Sequence, residues 1–368
     1  MRLAAAWSLR LLLVGGVLAV VIFLVIQLRF IIIPILVAVL LGALLVPFSL
    51  FLQRHGWPRW LAITAALVSA LAVVGGLLTL GITQIVRGFG DLADQSLVAW
   101  DEFRALLLAS PLHVTEAQLN DLVDQLFASA QQDSSILLSG ALSAGSTLGH
   151  FLAGMLLAIF ATIFVLIDGR GIWNWIVGVF PRKARAAVDG AGNAGWATLQ
   201  NFVKVQVLVA AIDAVGIGLG AFLLGVPLAV PIGILVFLGS FIPIVGAVVT
   251  GALAVFVALV YNGWVIALIM LGIVLLVQQV EGHILQPLIM GTAVKVHPLG
   301  VVIAVATGSL LAGIPGALFA VPVAAVMNVM INYIAGGSWK LAPGPSVEEA
   351  HSPLWRTVPQ RPGYQRGE

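Results

Sequence analysis

Phe30–Leu52, with the sequence FIIIPILVAVLLGALLVPFSLFL, decides the fold because it carries no charged residue along its whole length. An α-helix rises about 1.5 Å per residue, so a helix of this length crosses the roughly 30 Å hydrocarbon layer of a membrane. Comparable apolar runs occupy residues 11–26, 61–86 and 136–167, and further runs follow residue 200. The sequence therefore predicts a polytopic α-helical membrane protein.

The composition of the 368-residue chain supports the same fold class. Hydrophobic residues make up 61% of the chain and charged residues 9%, and the mean hydropathy is +1.13, far from the values of soluble globular proteins. Short segments of alternating hydrophobicity, which would indicate a β-barrel, are absent from the sequence. We predict an all-α fold with about 7–8 transmembrane helices in a lipid bilayer.

Several kinds of site are excluded by what the sequence lacks. There is no cysteine, and hence neither a disulfide framework nor a thiolate metal site. No concentrated lysine and arginine run predicts nucleic-acid binding. His283 follows Glu281 at a spacing that puts the two side chains on different helix faces, and no metalloprotease or serine-hydrolase motif is present. We therefore predict a protein that is not an enzyme and needs no cofactor.

The alternation of apolar and polar stretches divides the chain into six predicted segments. They are residues 1–86 with transmembrane helices 1–3, residues 87–135 as an acidic extracytoplasmic helical insert, residues 136–167 as transmembrane helix 4, residues 168–200 as a basic amphipathic connector, residues 201–335 as a transmembrane core with broken helices, and residues 336–368 as a flexible tail. Basic residues concentrate in the connector and in the turn at 53–60, so the positive-inside rule places these and both termini in the cytoplasm. Trp173, Trp175 and their apolar neighbours predict a helix lying at the membrane surface.

Charged residues are rare in the transmembrane core. Between Gln206 and Tyr333 only Asp213, Glu281 and Lys295 carry a formal charge. An ionisable group inside a membrane is costly, so it usually faces a protein interior or a watery path and marks a route for an ion or solute. We predict this role for Asp213 and Glu281, with structural hydrogen bonding as the alternative for Asp213. Lys295 is predicted to extend towards the interface.

Two stretches of the core predict interrupted helices. Pro243 lacks an N–H and Gly246 permits unusual backbone angles, and Pro287 with Gly291 repeats the pattern in LQPLIMG. Backbone groups freed at membrane depth are tolerated where they line a cavity, as they do in transporters. The polar side chains next to the second break can form hydrogen bonds to a small polyol-like solute; they are Gln278, Gln279, Glu281 and Gln286.

Three blocks of this core resemble the signature of a known family. They are DAVGIGLGAFLLGVP from residue 213, GSFIPIVGAVV from residue 239, and the stretch that begins QQVEGHILQPLIMG at residue 278 and ends at residue 326. The blocks are similar to those of the autoinducer-2 exporter family of bacterial membrane proteins, also called the PerM-like permeases. The resemblance implies a multi-pass protein of the bacterial cytoplasmic membrane that assembles as a homopentamer, with one transport route per protomer.

The resemblance implies transport, while it leaves the substrate open. Family members are associated with export of the furanone autoinducer-2 and others with Na⁺(Li⁺)/H⁺ antiport. The abundant glutamine favours a small polar solute, whereas Asp213 and Glu281 leave a monovalent cation or a proton open, and an oligomeric channel or membrane scaffold is the alternative of a different class. The motif also assigns helix-breaking or gating positions to this sequence, namely Pro243, Gly246, Pro287, Gly291, Gly313, Pro315 and Gly316.

Overall fold

The computed structural model describes residues 22–109, 134–242, 245–283 and 298–337, together with residues 15, 16 and 20, and these contain helices and no strand. Seven helices are α1 (Arg29–Arg54), α2 (Arg59–Ala109), α3 (Ser134–Val179), α4 (Arg182–Leu223), α5 (Ala229–Gly239), α6 (Val245–Val280) and α7 (Pro298–Ala335). Within the described ranges, six helical segments are long and apolar enough to cross a membrane. The predicted fold class, all-α and polytopic, is therefore confirmed.

Some predicted regions cannot be compared with the structure. Half of the first predicted span, residues 11–26, lies outside the described residues, as do residues 110–133 of the acidic insert and almost all of the tail. The second and third predicted spans correspond to α1 and to the apolar part of α2, Arg59–Gly88. Helix α2 continues without a break beyond this apolar part to Ala109.

Helices α1, α2 and α3 pack together through small and branched side chains. Gly42 of α1 lies against Val165 of α3, and Leu45, Ile63 and Leu166 share a buried cluster. The missing side chain of a glycine allows two helices to approach closely, which is the usual way of packing helices in lipid. Asp168 leaves the helical conformation, with φ −144° and ψ 43°. Helix α3 therefore consists of two arms, residues 134–167 and 169–179.

Helix α6 folds back on itself at Gly263. Gly251 contacts Val274 so closely that a Cβ on Gly251 would lie 2.8 Å from the Val274 Cγ1 atom. In a straight helix these residues would be about 35 Å apart. Gly263 has φ +81° and ψ 176°, a combination that reverses the chain direction. The two arms of α6, residues 245–262 and 264–280, therefore form an antiparallel hairpin.

Helix α7 forms a second hairpin, with its turn at Ala312 and Gly313. Gly313 has φ +64° and ψ −144°, and the backbones of Gly308 and Gly316 are in contact across the turn. Pro315 lies in the first turn of the second arm. A backbone N–H at this position has no acceptor within the helix, so the N–H that proline lacks breaks no hydrogen bond. The C-terminal half of the chain thus contains interrupted helices, as the fold class predicted.

Gly263→Ala is expected to lower the stability of the folded protein by about 1–3 kcal/mol, because the backbone angles at this turn are essentially restricted to glycine. The melting temperature of the purified protein measures the effect. Gly272→Ala is a matched control, because it lies in the same hairpin, and a Cβ at either position has no neighbour within 4 Å. Equal melting temperatures for the two variants would contradict this account of the turn.

Helix α4 connects two parts of the molecule. Its N-terminal half packs against the second arm of α7, where Gly195 contacts Met330. Its C-terminal half packs against α5 through Gly218 and Gly233, and against the second arm of α6 through Gly220, which contacts Ile273. A core cluster that includes Ile217, Val236, Val257, Ala258, Ala267 and Met270 fills the space between α4, α5 and α6. This second part carries the polar groups described next.

Candidate functional site

Asp213 is the buried carboxylate of the core. Its side chain is 2% exposed and lies on α4. The Ser240 hydroxyl is 3.3 Å from the Asp213 Oδ2 atom, and the Oδ1 atom has no hydrogen-bond partner among the described residues. A buried polar atom without a partner costs free energy, so in a folded protein it is explained by a bound water, a bound ion or a functional role.

The break between α5 and α6 lies opposite Asp213. Helix α5 ends at Gly239 and α6 begins at Val245. The Gln206 amide donates a hydrogen bond of 2.6 Å to the Ser240 carbonyl, which would otherwise be left free by the end of α5. Gln206 and Asp213 are two helix turns apart and share one face of α4. One face of α4 therefore holds the broken helix end through two polar side chains.

The pair formed by Ser240 and Asp213 can be hydrogen-bonded in either protonation state. The Ser240 hydroxyl also lies 2.8 Å from the Val236 carbonyl. A hydroxyl has one proton to donate and can also accept. It can donate to an ionised Asp213, or donate to Val236 and accept from a protonated Asp213. The arrangement is therefore suited to a carboxyl group that gains and loses a proton.

The start of α6 is fixed close to the end of α5. The backbone of Gly246 lies against the Gly239 carbonyl, and the buried Thr250 hydroxyl donates a 2.7 Å hydrogen bond to the Gly246 carbonyl. A Cβ on Gly246 would overlap the Gly239 carbonyl, so the close approach requires glycine at position 246. Pro243, which we predicted to cause the break, lies outside the described residues.

Glu281 is brought towards Asp213 by the α6 hairpin. Val277 in the second arm contacts Gly216 of α4, and the helix continues past Val280 as a π-helical turn that contains Glu281. Glu281 interacts electrostatically with Asp213. Two carboxylates in a poorly screened interior repel each other, and the repulsion falls when one of them binds a proton or a cation.

The remaining polar residues of the predicted path occupy different environments. Gln278 is half-buried, whereas the side chain of Gln279, the next residue, is exposed. Gln286, Pro287 and Gly291 lie outside the described residues. The structure thus brings Asp213, Glu281 and the Gly246 break together, and it places Gly313, Pro315 and Gly316 in the separate turn of α7.

A small cavity of about 40 Å³ lies beside the α5–α6 break. Residues from α1, α4, the break and the second arm of α7 line it, namely Leu40, Phe202, Val203, Gln206, Phe241, Leu318 and Pro322. A space of this size is sufficient for a water molecule, which occupies about 30 Å³ in the liquid. The lining is almost wholly apolar, with Gln206 as its one polar side chain, so the cavity is a packing gap beside the break and not a built water site.

Gln206 and Ser240 were not predicted as site residues. A signal for Gln206 was present, because it lies seven residues before Asp213 on the same helix face. Ser240 lies next to the predicted break, where a hydroxyl can satisfy exposed backbone groups. Among the described residues, no group of three or more histidine, aspartate or glutamate side chains is arranged to hold a metal ion.

Comparison with known proteins assigns the family. The family model described as AI-2E family transporter matches residues 12–336. The chain is 40% identical to "Putative transport protein MT0215" of Mycobacterium tuberculosis (strain CDC 1551 / Oshkosh), over 92% of each protein. It is 24% identical to "Putative transport protein YrrI" of Bacillus subtilis (strain 168), over 81% of this chain and 85% of that relative. It is 25% identical to "AI-2 transport protein TqsA" of Escherichia coli (strain K12), over 83% of this chain and 87% of that relative. The predicted family is confirmed: the chain belongs to the AI-2E family of membrane transporters.

Proposed function

We propose that this transporter exports autoinducer-2 or a similar small polar solute, and that export is coupled to protons through Asp213. The substrate class is supported by the relative named as an AI-2 transport protein. The single observation that carries the coupling is the buried Asp213 carboxyl beside the α5–α6 break, with one oxygen free of partners among the described residues. We further propose that the protein works as a homo-oligomer in the bacterial cytoplasmic membrane, with both termini in the cytoplasm.

The coupling uses the linkage between Asp213 and the end of α5. The backbone carbonyl of Ser240 accepts a hydrogen bond from Gln206 of α4, and the Ser240 hydroxyl is within hydrogen-bonding distance of Asp213. A change in the protonation of Asp213 reverses the donor and acceptor roles of this hydroxyl. The strength of the contact between α4 and the broken helix therefore depends on the proton, and a helix break is where a transporter can change its conformation.

The solute path requires hydrogen-bonding groups more than charges, because a furanone polyol is neutral or weakly anionic. Gln278, near the end of α6, and Glu281, in the π-helical turn that follows, are three residues apart, a spacing that brings side chains to one side of a helix. Their amide and carboxylate groups replace the water around the hydroxyls of the solute. Binding close to Asp213 links the occupancy of the path to the charge of the carboxyl pair.

Cation/proton antiport is the second candidate, and it rests on the chemistry of the same groups. The atoms near Asp213 include its own carboxylate oxygens, the Ser240 hydroxyl and a backbone carbonyl held by Gln206. Hard cations bind oxygen ligands of these kinds. In this reading Na⁺ or Li⁺ and a proton compete for Asp213, so that each displaces the other.

Transport by the purified protein in liposomes distinguishes these proposals. Vesicles are loaded in parallel with autoinducer-2 or with sodium, and efflux is followed with and without an imposed pH gradient. Protein-dependent release of autoinducer-2 that responds to the gradient is the expected result. Sodium movement without furanone release would favour the antiporter, and no movement of either would leave a channel or a scaffold.

Two adjacent glutamines test the position of the path. Gln278→Leu is expected to reduce autoinducer-2 release more than Gln279→Leu, because Gln278 is half-buried and Gln279 is exposed. We expect a difference of about fivefold, corresponding to one hydrogen bond of roughly 1 kcal/mol. Both rates are normalised to the amount of inserted protein. Equal losses, or a larger loss for Gln279→Leu, would place the path on another face of α6.

A further inference from the structure

The second arm of α3, residues 169–179, presents an exposed apolar face. Trp175 and Val179 are 74% and 73% exposed, and Ile172, one turn before Trp175, is 36% exposed. Their spacing of three and four residues places the three side chains on one face of the arm. This face is separate from the α4–α6 site described above.

The arm is held against α4 by its other side. The Trp173 indole N–H donates a 2.9 Å hydrogen bond to Asp189 of α4, and the Trp173 ring packs on Gly192. Arg185 donates to the carbonyls of Phe180 and Gly178, at 3.0 Å and 2.7 Å. The orientation of the arm is therefore fixed, and its apolar face cannot turn towards α4.

Free positive charge lies next to the exposed face along the chain, with Arg170 before it and Arg182 and Lys183 after it. Arg170, Arg182 and Lys183 are exposed, and within the described part of the chain their charged groups have no hydrogen-bond or ion-pair partner. The two acidic residues of the same segment are engaged, because Asp189 accepts from Trp173 and Asp168 accepts a 3.1 Å hydrogen bond from the Gly171 N–H. The exposed apolar face is thus preceded and followed along the chain by cations that no acidic side chain neutralises.

We propose that this surface binds anionic phospholipid headgroups. Aromatic and aliphatic side chains on one face of a short helix enter the region between headgroups and acyl chains, while neighbouring cations bind lipid phosphates. The arm directly follows residues 136–167, the predicted fourth transmembrane helix, and the kink at Asp168 separates the two. A second copy of the chain bound through the same surface would bring like charges together, which disfavours that occupant.

A single fluorescent label tests the proposal. The chain has no cysteine, so Val179→Cys supplies one thiol for an environment-sensitive dye. The labelled protein is placed in phosphatidylcholine vesicles that contain a spin-labelled quencher lipid with either a phosphatidylglycerol or a phosphatidylcholine headgroup. We expect about tenfold or stronger local enrichment of the phosphatidylglycerol quencher, since each cation near an anionic surface contributes roughly fivefold. Added salt should weaken the preference.

Substitutions of the exposed cations test whether they bind the lipid headgroups. Replacing Arg170, Arg182 and Lys183 together by glutamine is expected to remove the preference, whereas Lys204→Gln, at another exposed cation of α4, should leave it unchanged. Equal quenching by the two headgroups, or a preference that survives the triple replacement, would overturn the proposal. A label that neither lipid quenches would show that protein covers this face, and would also overturn it. If the triple variant fails to fold, the headgroup comparison and its salt dependence in the otherwise unchanged protein still decide.

Discussion

Asp213→Asn is expected to lower proton-gradient-driven transport by about tenfold or more, because the amide carries no proton and the hydrogen bond to Ser240 becomes a neutral one, about 1–1.5 kcal/mol weaker. The asparagine amide has nearly the same size and can still bond to Ser240, but it cannot bind and release a proton. The remaining transport should no longer respond to an imposed pH gradient. Efflux from liposomes at several values of the gradient measures both effects.

The stability of the same variant separates a coupling role from a structural role. Burying a carboxylate with one unpartnered oxygen is costly, so Asp213→Asn should melt at the same temperature as the original protein or higher. A structural Asp213 would give the opposite result, with a clearly lower melting temperature. Retained pH dependence in Asp213→Asn would contradict the proposed coupling. Glu281 would then be the candidate for the carboxyl that binds the proton.

Gly246→Ala is expected to destabilise the protein by about 3 kcal/mol or more, the upper range for overpacking a tight contact. A Cβ at this position would overlap the backbone carbonyl of Gly239 and would lie 3.1 Å from the Ser240 nitrogen. These are backbone atoms of α5, so no side-chain rotation can relieve the clash. Thermal unfolding of the purified protein, followed by the fraction that stays monodisperse, measures the loss.

Gly272→Ala provides the control for this substitution as well. It lies in α6, and a Cβ there meets no atom within 4 Å. Alanine favours helix over glycine by about 1 kcal/mol, so the control should be as stable as the original protein or slightly more stable. A Gly246→Ala protein that melts together with the Gly272→Ala control would show that α5 and α6 are not in close contact at this point.

Much of the fold can be predicted from the sequence, because the membrane imposes long apolar helices. Phe30–Leu52 and residues 61–86 lack the charges that would keep them out of lipid. The reversal at Gly263 was not predicted, since Asn262 and Gly263 interrupt an apolar run at only two positions and no proline marks the turn. Asn-Gly is a common turn pair, but in a long apolar run the hydropathy signal outweighs it.

The site could be predicted only in part. Asp213 and Glu281 are recognisable because a charge inside an apolar stretch is exceptional. Gln206 and Ser240 carry no such signal, since amides and hydroxyls occur in membrane helices for many structural reasons. Their roles depend on which helices meet: Ser240 reaches Asp213 because α5 folds back along α4 after Leu223. That meeting is a property of the three-dimensional packing of Gly218 on Gly233.

The hairpin of α6 determines how sidedness experiments on this protein should be read. Hydropathy treats Gly246–His283 as one span, which would put its two ends on opposite sides of the membrane. Because Gly251 lies against Val274, both ends of α6 are at the same end of the molecule and Gly263 is at the other. Reporter groups attached near residues 246 and 280 should therefore react with the same membrane-impermeant reagent. Each loop after α6 lies on the side of the membrane that a topology count without α6 would give.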